Sequence, residues 1–132
     1  MLQEIADLLR SFDKSSDPAH ADITPSVLRL IDLKLPGALA VCDLLNAPQR
    51  LTRMRAQRVV EGAVFLHFGF AYGRGFPNAE AERRARGAIN ENGYSADAPE
   101  DKRHAAIERW RGWLRREMEV RRTKPRKEPR SK

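Results

Sequence analysis

One cysteine in 132 residues, Cys42, excludes an intramolecular disulfide, and with no second thiol no cysteine cluster can hold zinc. Long apolar runs are also missing. The longest, GAVFLHFGFA at residues 62–71, is about half of what a helix needs to cross a bilayer. The amino-terminal MLQEIADLLR has early acids and no unbroken apolar stretch of the secretory type. A cytoplasmic protein with no membrane contact is expected, or a nuclear one if the source is eukaryotic or viral. The three histidines, His20, His67 and His104, stand in no close ligand spacing. No Ser-His-Asp set or carboxylate pair has a readable geometry, so an enzyme, a metal and a cofactor are not expected. GFAYGRG, with Gly69, Gly73 and Gly75, lacks the Lys-Ser/Thr ending of a P-loop and misses the dinucleotide fingerprint. It reads as a flexible turn or a close approach of backbones.

What the chain has is charge, unevenly placed. Its 25 basic and 18 acidic residues give a net +7. The last twelve residues, RRTKPRKEPRSK, hold seven of the bases and one acid, so residues 121–132 carry +6 and residues 1–120 only +1. This is a near-neutral body with a basic arm rather than a uniformly basic domain. The arm has no apolar side chain to bury, and Pro125 and Pro129 oppose a regular helix through it. It is expected to be disordered when free.

Apolar residues make up 41% of the sequence, enough for one core at this length. Their spacing is helical. Leu2, Ile5, Leu8, Leu9 and Phe12 predict a first helix over 2–12. Thr24 before Pro25 is a cap followed by a first-turn proline. Pro36 and Gly37 then divide residues 24–46 into two short helices meeting near 34–37. A central helix over 48–71 places Leu51, Ala56, Val59 and Ala63 on one side and Arg50, Arg53, Gln57 and Glu61 on the other. Its end, 63–71, is aromatic and apolar all round, which suits a buried helix and also a buried strand. Asn78 caps a fifth segment that stops at Gly93. Asp97 and Glu100 have capping-box spacing before a last helix with the stripe Ile107, Trp110, Leu114 and Met118. The expected fold is all-α: a small orthogonal bundle of five or six helices over 1–120, with the basic tail over 121–132.

The candidate binding residues follow the charge. Arg121, Arg122, Lys124, Arg126, Lys127, Arg130 and Lys132 would hold phosphates without reading sequence, the alternative being a solvated end. KPRK within the tail also has the composition of a nuclear import signal. Arg50, Arg53 and Arg58 form a row at the start of the central helix, where cations oppose the helix dipole. A phosphate-facing ridge explains that placement, and an ordinary solvated helix start is the rival. Arg55 points away from the row. Arg74, between two glycines, is within reach of a phosphate. In EAERRARG the pairs Glu80–Arg84 and Glu82–Arg86 at i,i+4 leave Arg83 over. His67 and Cys42 read as core residues.

The favoured reading is a small basic nucleic-acid-binding accessory protein, for DNA or RNA, that grips the backbone with weak sequence preference. The other reading is a protein-interaction module, an inhibitor or adaptor of the phage- or virus-encoded style, that docks an acidic partner protein. Tyr72, Phe76 and Trp113 would serve that surface. Self-association as a homodimer is expected if Trp110 and Trp113 meet a second copy.

Overall fold

The computed structural model describes residues 2–14 and 21–123, with side chains through Val120. The described residues contain six α-helices: α1 Leu2–Arg10, α2 Pro25–Asp32, α3 Leu35–Ala40, α4 Arg50–His67, α5 Ala79–Asn92 and α6 Glu100–Thr123. A short 3-10 helix, Cys42–Asn46, joins α3 to the turn before α4. The all-α expectation holds, and 63–71 divides into the last turns of α4 and a loop, with no strand among the described residues.

Local chemistry sets several boundaries. The Thr24 hydroxyl accepts from the Val27 amide at 3.1 Å and donates to the Phe12 carbonyl at 3.0 Å. One side chain thus caps α2 and ties it to the turn that follows α1. Asn78 Oδ1 accepts from the Ala81 amide at 2.8 Å, and Gly93 ends α5 in the left-handed region, φ 56°.

The break between α2 and α3 differs from expectation. Pro36 and Gly37 lie inside the first turn of α3, where a proline loses no hydrogen bond, and the chain turns instead at Lys34, φ 62°. Gly37 has a different task. A Cβ there would sit 2.0 Å from the Leu30 carbonyl oxygen, so α3 rests directly on the backbone of α2. Gly37→Ala is therefore expected to lower stability by about 2–3 kcal/mol, since the clash is with backbone that cannot swing aside. A shift of the urea midpoint measures it.

Helix α4 is the axis of the fold. It packs on α2, α3, the 3-10 helix and α5. Its buried face is Ala56, Val59, Val60, Ala63 and Val64, small or β-branched residues that let neighbouring helices come close. Leu51, expected on that face, is exposed because the buried face runs along Thr52, Ala56, Val59 and Ala63, about a quarter turn away. The stripe of α6 is as expected, with Ile107, Trp110 and Leu114 buried and Met118 packed at its edge. The Asp97–Glu100 capping box does not form. Asp97 pairs with Arg50, and α6 begins at Glu100.

The two long helices point the same way. Near their starts Arg53 Nε donates to the Ala96 carbonyl at 3.0 Å, and near their ends His67 Nε2 meets Glu117 Oε2 at 3.0 Å. Helix α6 continues from Glu117 to Thr123, ~9 Å further at 1.5 Å per residue. It runs three residues into the segment assigned to the basic tail.

Candidate nucleic-acid interface

The arginine row at the start of α4 lies against its own chain. Arg50 forms a two-pronged pair with Asp97, the longer bond at 3.1 Å. Arg50's hydrogen bond holds the Asp97 carboxyl below its usual range, and Asp97 raises the already high guanidinium. Arg53 donates to the carbonyls of Ala47 at 2.9 Å, Pro48 at 3.1 Å and Ala96, and so ties the turn before α4 to the loop before α6. Arg58 donates to Asp22 at 2.9 Å and lies 3.5 Å from Glu61. Arg50 and Arg58 are nevertheless half exposed along the side chain, at 58% and 41%. Each guanidinium has five N–H donors and uses only some of them internally.

Arg55 is the residue whose role sequence reasoning missed. Its side chain is 7% exposed and donates to Asp13 at 2.6 Å and to the Ala21 carbonyl at 2.7 Å. Thr52 adds a hydroxyl bond to Asp13 at 3.0 Å. Residues 13 and 21 are thereby pinned to α4. An arginine at a core-facing position of a helix otherwise lined by Ala and Val was the sign available in the sequence.

In α5 the pairing shifts by one. Arg86 meets Glu82 at 2.8 Å as expected, but Glu80 pairs with Arg83, and Arg84 lies over the Phe68 ring at 5.1 Å. Spacings of three and four are both neighbours on a helix, and the aromatic face draws Arg84 away.

Arg74 is exposed at the tip of the loop after α4 and has no side-chain partner among the described residues. Arg115 and Arg116, on the part of α6 beside the end of α4, are likewise exposed and unpaired among the described residues. Arg121 and Arg122 fall on the helical backbone of α6. Lys124, Arg126, Lys127, Arg130 and Lys132 lie outside the described residues, as does the expectation of a disordered arm.

Tyr72 is exposed. Phe76 is half-buried and packs on Phe65 and Phe70, with centroids at 5.0 and 5.3 Å. Trp113 is half-buried, edge-on to Trp110 at 5.7 Å and 6.4 Å from Phe68. Trp110 belongs to the core of a single chain, which leaves only Trp113 of the pair partly exposed. An open groove of about 400 Å³ lies between α2, α4 and α5, walled by Ile23, Ile31, Phe65 and Ile89 with Arg58 and Glu61 at its rim.

Cys42 is a core residue, as its sequence neighbourhood suggests, whereas His67 lies at the edge of the core, its ring covered and paired with Glu117. Cys42 donates its thiol to the Ala38 carbonyl at 3.5 Å, and burial pushes the thiol up to about 11. The shift is upward, so the stability it reflects is full below the ordinary thiol range and is lost as pH rises through about 11. At pH 8 a thiol reagent should leave the folded protein unlabelled and label the urea-unfolded chain. Rapid labelling of the folded protein would place Cys42 at the surface.

Among the described residues no group of three or more His, Cys, Asp or Glu side chains could hold a metal ion, and no helix is long and apolar enough to cross a membrane. No family model, no curated protein and no solved structure matches the chain.

Proposed function

We propose that this protein binds nucleic acid through the phosphate backbone with weak sequence preference, and that segment 121–132 is its main contact. The partition of charge carries the reading: +6 of the net +7 sits in twelve residues, the first three of which are the last of α6. A near-neutral body adds little long-range attraction, so the arm dominates the encounter with a polyanion. Arg74, Arg115 and Arg116 extend the basic region onto the body. Arg50, Arg53 and Arg58 are a secondary contact, because their donors are partly committed to Asp97, Asp22 and three carbonyls.

The same charge would serve an adaptor or inhibitor that docks an acidic protein. A pull-down with and without nuclease separates the two readings. The nucleic-acid reading expects the protein to retain nucleic acid at low salt, seen as a raised 260/280 absorbance ratio, and to release it at high salt as counterions compete. A protein partner captured equally well after nuclease treatment would favour the adaptor.

A further inference from the structure

We propose that the turn Ala71–Gly75 is a base-stacking element, so that the preferred ligand is single-stranded nucleic acid. The inference rests on the nucleic-acid reading above and narrows it to a substrate class.

The turn is built to hold one aromatic ring at its tip. The Ala71 amide donates to the Gly75 carbonyl at 3.0 Å, and the Gly75 and Arg74 amides both donate to the Ala71 carbonyl at 2.9 Å. Gly73 and Gly75 take φ of 84° and 78°, a region that side chains other than glycine rarely enter. Beneath the turn Phe65, Phe70 and Phe76 form a triangle with centroids 5.0–5.5 Å apart. The Phe70 amide donates back to the Phe65 carbonyl at 3.0 Å, which fixes the loop to the last turn of α4. Tyr72 then stands edge-on to Phe70, at 5.6 Å and 87°. It is 71% exposed, the one aromatic among the exposed large apolar side chains described.

A single exposed tyrosine is ordinary. This one is set by a closed turn and a phenylalanine base, with the unpaired Arg74 two residues away. The turn also lies at the end of the bundle where α6 runs on through Arg121 and Arg122. His67, four residues before Ala71, touches Glu117, and Phe68 lies beside Trp113. Aromatic faces beside a cationic track are the combination that binds unpaired strands, because every base offers a π-face and every linkage a phosphate. In a duplex the base faces are stacked on one another, and Tyr72 would have nothing to cover.

The test measures binding of the full-length protein to a fluorescent oligothymidylate and to a duplex of equal phosphate number, at one salt concentration. Tyr72→Ala and Tyr72→Leu are each expected to weaken single-strand binding about tenfold, the scale of one lost stack. Tyr72→Phe should bind like the parent, since the ring face does the work. Duplex affinity should stay constant across the series because segment 121–132 is intact. Leu is the informative variant: it keeps apolar bulk and removes the π-face. Parental single-strand affinity in Tyr72→Leu would overturn the stacking role and leave the turn as a protein-docking surface, with the backbone-binding reading intact. Absence of binding by the parent to either ligand would overturn both.

Discussion

Trp110→Ala should lower the folding free energy by about 3–5 kcal/mol, the range for truncating a buried aromatic. Trp110 is 2% exposed and stands in the middle of the α6 stripe, between Ile107 and Leu114. It reaches the wall shared with Leu45, Val60, Ile89 and Tyr94, so one side chain joins α6 to the 3-10 helix, α4 and α5. Truncation removes that joint and leaves a cavity lined by several elements. A domain of this size has about 5–15 kcal/mol in total, so the variant should lose about a fifth or more of its denaturant midpoint. Phe65→Ala should cost less, about 1–3 kcal/mol, because Phe65 is half-buried and borders the open groove. If Trp110→Ala unfolds at the parental midpoint, the assignment of the core is wrong.

Deleting residues 121–132 should do the opposite: leave the fold alone and remove binding. The deletion trims the last three residues of α6 but no residue of the core. Met118 is the last α6 side chain packed on the core, and Val120 is exposed. Helical content should fall only by the trimmed turn, and the melting temperature should hold within about 2 °C, since a 1 kcal/mol change would move it by several degrees. Affinity for any polyanion should drop at least tenfold at moderate salt, because about 4–5 phosphate contacts disappear. Charge reversal of Arg50 and Arg53 is a poorer probe of binding. It would put like charges beside Asp97 and break the bonds to Ala47, Pro48 and Ala96. Such a variant should lose stability before its binding can be read.

The helices were legible where local chemistry decides them. Thr24–Pro25, Asn78 and Gly93 mark their boundaries through caps and φ preferences, and the α6 stripe shows through its periodicity. What the sequence could not show was the partner of each arginine. Asp97 lies 47 residues from Arg50, and Asp22 lies 36 residues from Arg58. A row of cations therefore reads as open surface until the fold brings carboxylates and carbonyls to it. The same holds at Asp97. Its spacing to Glu100 suits a capping box, but the Arg50 guanidinium is the stronger, charge-assisted partner. Gly37 carries two meanings in sequence, helix break and close contact, and only the position of the Leu30 carbonyl selects the second. The aromatic run was ambiguous for a related reason. Apolar on every side, it fixed no period, and the helix ended where Gly69 took φ 96°.

The central claim is that the basic segment is an electrostatic clamp rather than a solvated end. Its most direct test is the slope of log affinity against log salt concentration, measured on one DNA duplex for the intact protein and for the 121–132 deletion. Each neutralised phosphate contributes about 0.9 to that slope on B-DNA, so loss of the segment should flatten it by about 4. An unchanged slope would mean that the twelve residues touch no phosphate, and would contradict the clamp.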